Sequence, residues 1–164
     1  MALLRISPGL KAGDPAPPFD RLDEDGARHD LARYRGRWLV LFFYPKDHSS
    51  GCMREACRFN DDFELFQELG ADLLGCSGQD AESHRLFRQG CRLRYRLLSD
   101  PGRVMREAWA VPHWLDLLDG RTTFVVDPLG CIRAVFDHRL GAEGHPQEAL
   151  AFLRQAVLTE AVHR

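Results

Sequence analysis

The chain has 164 residues, 45% of them hydrophobic and 28% charged. That length suits one domain, 1–164, able to bury roughly 70% of its unfolded surface without a disulfide or metal scaffold. The hydrophobic fraction excludes a disordered chain, no apolar run reaches the ~20 residues that cross a membrane, and a formal charge of -2 argues against a dedicated nucleic-acid binder.

In chain order, the start as far as Asp20, with Pro8, Pro15, Pro17 and Pro18, reads as an extended arm. It lacks the apolar core of a signal peptide, so the cytosol is the expected compartment. Thiols stay reduced there. The five cysteines, at 52, 57, 76, 91 and 131, therefore read as catalytic, redox-active, metal-binding or buried groups before structural disulfides. The run 37–44, ended by Pro45, predicts a central strand buried on both faces. A loop follows, and 52–69 predicts a helix with Phe59, Phe63 and Phe66 inward and Gly70 as its stop. Residues 71–76 predict a second strand, 80–89 a helix, and 103–110 a short helix after Asp100-Pro101-Gly102. The β-branched run 122–126, the turn Asp127-Pro128-Leu129-Gly130 and the segment 131–136 predict a hairpin. An amphipathic helix over 147–162 closes the chain. Strand, helix, strand, helix, hairpin, helix is an α/β order. It calls for a mixed central sheet with helices on both faces in three layers.

Cys52 falls where the loop 45–51 turns into the helix. The first helical turn carries unpartnered N–H groups and the positive end of the helix dipole. A thiolate placed there is stabilised, and the thiolate is the nucleophilic form. Ser49 and Ser50 can offer hydroxyls, Gly51 allows close approach to the backbone, and Pro45 ends the strand and can shield the sulfur.

The segment Phe43-Tyr44-Pro45-Lys46-Asp47-His48-Ser49-Ser50-Gly51-Cys52-Met53-Arg54-Glu55-Ala56-Cys57 resembles the active-site segment of peroxiredoxins, and within them the PrxQ group, also called bacterioferritin comigratory proteins. The proline, the hydroxyl residue four positions on and the cysteine three further on match as Pro45, Ser49 and Cys52. Serine stands at 49 where threonine is commoner, and at 50 where the group usually has proline. Gly13-Asp14-Pro15-Ala16-Pro17-Pro18-Phe19, Leu97-Leu98-Ser99-Asp100 and Arg121-Thr122-Thr123-Phe124-Val125-Val126-Asp127 resemble further blocks of the family in the same order.

The resemblance implies a thioredoxin-like fold and a thiol peroxidase without metal or other cofactor. Cys52 would be the peroxidatic cysteine. Ser49, Gly51, Cys52 and Arg121 would bind the peroxide, and Pro45 would shield the site. Cys57 would resolve the sulfenic acid as a disulfide, with Cys91 the alternative resolving residue. A thioredoxin- or glutaredoxin-type dithiol would reduce that bond. The implied partners are a peroxide and this dithiol, with no nucleic acid and no membrane, and the implied state is a monomer. In an intact helix residues five apart have Cα atoms ~8.6 Å apart and ~140° apart around the axis. A disulfide needs less than about 7 Å, so the Cys52–Cys57 bond requires the first helical turns to unwind.

Other readings use the same residues. His48, Cys52 and Cys57 suggest zinc, with too few ligands at the wrong spacing for a structural site. A thiol–disulfide oxidoreductase calls for C-x-x-C, and the chain has none. A redox sensor without turnover is the third. Arg92, Arg94 and Arg96 alternate with apolar residues and read as a solvated strand edge. Cys76 and Cys131 read as structural, and His84 and His113 as surface or loop residues. Trp109 and Trp114 either pack near the site or cap the core.

Overall fold

In the computed structural model, which describes residues 9–114, 118–137 and 144–164, the run Trp38–Phe43 is buried at all of its positions. In chain order the strands and helices are β1 (Asp20–Leu22), β2 (Arg28–Asp30), β3 (Trp38–Phe43), α1 (Ser50–Asp61), α2 (Phe63–Glu68), β4 (Ala71–Ser77), α3 (Ala81–Cys91), β5 (Arg96–Ser99), α4 (Val104–Ala108), β6 (His113–Trp114), β7 (Leu118–Asp119), β8 (Thr122–Val126), β9 (Ile132–Phe136) and α5 (His145–Val162). The main sheet runs β5-β4-β3-β8-β9. β3, β4 and β5 are parallel, while β8 is antiparallel to both β3 and β9.

Alternation along β3 divides the core in two. Trp38, Val40 and Phe42 face Phe59 of α1, Phe66 of α2, Phe87 of α3 and Leu153 of α5. Leu39, Leu41 and Phe43 face Met105 of α4, Trp109, Tyr34 and Phe19 on the other side. Helices therefore cover both faces, the thioredoxin-like arrangement expected of the chain. Phe42 stacks on Phe59 with centroids 4.4 Å apart, and Trp109 meets Phe124 edge-on at 5.0 Å. Trp109 is a core residue.

The structure corrects several sequence expectations. The helix expected over 52–69 is two helices broken at Asp62. At the break the Asn60 carbonyl accepts from Arg94 Nη2 at 2.6 Å and from the Asp62 N–H. The sequence assigned no element to the stretch after the arm, which ends at Asp20. That stretch forms the β1–β2 hairpin, and Asp23 accepts from the backbone N–H groups of Asp25 and Ala27 in the turn. The strand edge expected to be solvated is so at Arg92 and Arg94, which are exposed, and two of its three arginines also form ion pairs. Arg94 meets Glu64 at 2.9 Å, and Arg96 meets Glu24 at 2.9 Å and also Asp25.

Candidate active site

The site forms where β3 ends. Pro45 follows the last buried residues of the strand and is itself half-buried. The loop behind it is anchored by Asp47, only 2% exposed. Asp47 accepts from Tyr44 Oη at 2.6 Å and Ser83 Oγ at 2.8 Å, and meets His84 Nδ1 at 2.7 Å. Burial works to raise the Asp47 carboxyl, but the bonds from His84, Tyr44 and Ser83 outweigh it and hold the group below the usual carboxylate range. His84 is thus no surface residue. It is fully buried between Asp47 and the Leu98 carbonyl, tying α3 and β5 to the loop. His48 takes a left-handed backbone, φ 64°, and sets its ring edge-on to Phe87 at 5.4 Å.

Ser49 caps α1. Its Oγ accepts from the Cys52 N–H at 3.3 Å and donates to the Lys46 carbonyl at 3.3 Å. Cys52 lies in the first turn and is 1% exposed. Arg121, 69 positions away in sequence, reaches this turn because β8 runs antiparallel to β3. Thr122 pairs with Phe43, so the residue before it lands beside the loop that leaves β3. Its guanidinium lies over Gly51, where a Cβ would stand 2.9 Å from Nη2 and 3.6 Å from Cζ. The approach requires a residue without a side chain. Pro45, Ser49, Gly51, Cys52 and Arg121, expected together from the sequence, are brought to one end of the sheet.

Two site residues escaped the sequence reading. Glu55 is fully buried, and its Oε2 accepts from Arg121 Nη1 at 3.1 Å. Burial pushes its carboxyl up to about 7 despite the opposing pull of Arg121. The buried face of α1 is Cys52, Glu55, Ala56 and Phe59. A carboxylate at i+3 on an otherwise apolar stripe was therefore a legible signal. The second is Arg106, 2% exposed, which donates to the carbonyls of Tyr44 at 2.8 Å and Gly120 at 2.6 Å. These are the residues before Pro45 and Arg121, so one buried guanidinium ties together the two segments that build the site. No sequence pattern marks it among the other arginines.

All five cysteines are free thiols. Helix α1 runs unbroken through Cys57, which is half-buried while Cys52 is buried. Cys91 is the last residue of α3, and the Cys57 thiol is the neighbouring group that acts on its thiol. Cys76 is a core residue whose thiol burial pushes upward. Cys131, half-buried, opens the returning strand of the hairpin and bridges to Pro15. Among the described residues no group of three His, Cys, Asp or Glu side chains is placed to hold a metal ion.

A sequence model of the AhpC/TSA family matches residues 12–135. The chain belongs to the AhpC/TSA family. Its relatives place it in the peroxiredoxin Q group. It is 41% identical over 146 residues to a chloroplastic peroxiredoxin Q of Suaeda salsa, covering 88% of this chain and 68% of that protein. It is 40% identical over 148 residues to the chloroplastic peroxiredoxin Q of Arabidopsis thaliana, covering 90% and 68%. Among solved structures, peroxidoxin BcpB from Mycobacterium tuberculosis superposes with a TM-score of 0.82 at 32% identity, covering 89% of this chain and 97% of that one. A cysteine-to-serine mutant of Xylella fastidiosa PrxQ gives 0.84 at 26%, covering 90% and 97%. These peroxiredoxins correct one expectation. The cytosolic compartment inferred from the N-terminal residues is contradicted by the curated plant relatives, which are named chloroplastic. An apolar-core test for a secretory leader does not detect plastid targeting, since transit peptides are amphipathic rather than apolar.

Proposed function

We propose that this thiol peroxidase reduces hydrogen peroxide and organic hydroperoxides through Cys52, acting as a single domain and a monomer. The Cys52 thiolate attacks the terminal peroxide oxygen, the O–O bond breaks, and the alcohol or water leaves with a proton. Cys52 is left as a sulfenic acid. The negative charge that spreads over sulfur and oxygens in the transition state calls for fixed donors. Arg121 supplies a permanent charge with several donors. The Ser49 hydroxyl has two bonds of 3.3 Å, longer than the ordinary range, so it can turn to a peroxide oxygen at small cost. Pro45 contributes a wall without an N–H. Glu55 positions Arg121, and Arg106 positions both segments.

Cys57 then attacks the sulfenic acid, forming the Cys52–Cys57 disulfide and releasing water. The unbroken α1 must unwind around residues 52–57 for this step. A dithiol of the thioredoxin or glutaredoxin type returns both thiols, giving two electrons and two protons. A bacterioferritin comigratory protein of Xanthomonas campestris, studied in trapped intermediate and ligand complexes for alkyl peroxide reduction, superposes with a TM-score of 0.80 at 27% identity, covering 85% of this chain and 92% of that one. That likeness supports organic hydroperoxides as substrates here.

The observation that carries the proposal is the convergence of buried Cys52, its Ser49 cap and the Arg121 guanidinium over Gly51. Peroxide consumption coupled to a thioredoxin system tests it. Cys52→Ser is expected to abolish turnover, and retention of wild-type activity by that variant would overturn the assignment.

A further inference from the structure

Three cysteines, not two, are carried by the two helices beside the site. Cys52 is buried in the first turn of α1, Cys57 is half-buried one and a half turns on, and Cys91 is half-buried at the end of α3. Helices α1 and α3 pack together, and the Cys57 thiol is the neighbouring group that acts on the Cys91 thiol. Hydrogen bonds on both sides of the pair hold it together. Asn60 Nδ2, one turn beyond Cys57, donates to the carbonyl of Arg92 at 3.1 Å, next to Cys91. The Arg94 N–H donates to Asn60 Oδ1 at 2.9 Å, and Tyr95 Oη donates to the carbonyl of Ala56 at 2.7 Å, next to Cys57. Thiols on two helices clamped together in this way need little backbone movement to form a disulfide. The Cys52–Cys57 bond, in contrast, requires unwinding.

We propose that the Cys52–Cys57 disulfide is passed on by internal exchange: Cys91 attacks the Cys57 sulfur, a Cys57–Cys91 disulfide forms, and Cys52 is released as a thiol. The inference rests on Cys57 as the resolving cysteine. The exchange is isoelectronic: one S–S bond breaks, one forms, and the proton lost by Cys91 is regained at Cys52. Three consequences follow. Helix α1 can rewind, since its two cysteines are no longer joined. The terminal disulfide joins two half-buried residues, where an external dithiol can reach it. Cys52 regains its nucleophile before any reductant arrives, so one chain can consume a second peroxide.

The exchange has a physical bias. Burial, the larger cause, pushes the Cys91 thiol upward, and it persists when Cys57 is held in a disulfide. A thiol of that kind is a poor leaving group, so the reverse exchange that would expel Cys91 is disfavoured. The forward attack is correspondingly slow at neutral pH, because little of Cys91 is ionised, and it speeds up as pH rises.

The test uses the full chain without reductant, treated with one and then with excess hydrogen peroxide, alkylated at intervals and mapped by mass spectrometry under non-reducing conditions. The expected sequence is Cys52–Cys57 first, then Cys57–Cys91 with Cys52 alkylated. Reductant-free peroxide consumption should approach two per chain, falling twofold to one in Cys91→Ser. A Cys52–Cys57 bond that persists while Cys91 stays alkylated would overturn the relay and leave the proposed function intact. A Cys57 that enters no disulfide, or a direct Cys52–Cys91 bond, would overturn both the relay and the role of Cys57. Circular dichroism of Cys91→Ser, a near-isosteric change at a half-buried position, verifies that the comparison is between folded chains.

Discussion

Replacing Glu55 by glutamine removes one charge from the centre of the site and nothing of its shape. The carboxylate is fully buried, with Arg121 Nη1 3.1 Å from Oε2. At an effective dielectric of ~20 that pair attracts by ~5 kcal/mol. Burial outweighs this gain, since the carboxyl is raised from 4.5 to about 7. A shift of that size corresponds to ~3 kcal/mol. The sign follows from linkage. The folded protein holds the Glu55 proton more tightly than the unfolded chain does, so the stabilisation is complete below pH 4.5. It is lost as pH rises towards 7 and stays lost above. Carboxylates held low, such as Asp47 and Asp23, act below pH 4 and are common to both proteins. Urea unfolding from pH 4.5 to 7.5 should therefore show wild type losing ~3 kcal/mol relative to Glu55→Gln across that window. Peroxidase kcat/KM at pH 7.5 should fall about tenfold or more in the variant, because Arg121 loses the charge that orients it. Parallel pH profiles of stability for the two proteins would refute the argument from burial. Unchanged kcat/KM would refute the positioning role.

Gly51→Ala would place a Cβ 2.9 Å from Arg121 Nη2. The guanidinium can swing away, so stability should change by no more than about 1 kcal/mol, while kcat/KM drops about 10- to 100-fold. Unaltered kinetics would show that the Arg121 position over Gly51 is irrelevant. Ser49→Ala removes the cap of α1 and should cost ~1 kcal/mol in denaturant unfolding, together with a lower rate of sulfenic acid formation in stopped flow. Ser49→Thr should restore both, and failure to do so would count against the hydroxyl. Arg106→Met leaves the Tyr44 and Gly120 carbonyls without their buried donor and should destabilise the fold by ~3 kcal/mol or more. A loss below ~0.5 kcal/mol would show that the guanidinium does not hold these segments together. Cys57→Ser should react with the first peroxide at the wild-type rate and then stall as a sulfenic acid open to dimedone; sustained dithiol-coupled turnover would remove Cys57 from the resolving role.

Local pattern alone was enough for the parts of this protein that local physics governs. A short, fully apolar run ended by a proline reads as a strand covered on both faces, and Trp38–Phe43 is that strand. The turn 127–130 between two β-branched runs specified the β8–β9 hairpin, with Thr122–Val126 as expected. Pro45, Ser49, Gly51 and Cys52 lie within eight residues, so their grouping at a helix start was visible in one segment. Arg121 was found through resemblance, since nothing in its neighbourhood says where a single arginine points. The break at Asp62 sits where Arg94, 34 residues from Asn60, donates to the Asn60 carbonyl. The burial of His84 depends on a carboxylate 37 residues away. Glu55 as the partner of Arg121, Arg106 as the strut between Tyr44 and Gly120, and Cys91 against Cys57 are likewise long-range pairings. The burial of Glu55 was legible from its apolar stripe, but a charged or thiol side chain does not say locally which partner it meets. Only the antiparallel register of β8 on β3 and the packing of α3 against α1 decide that partner.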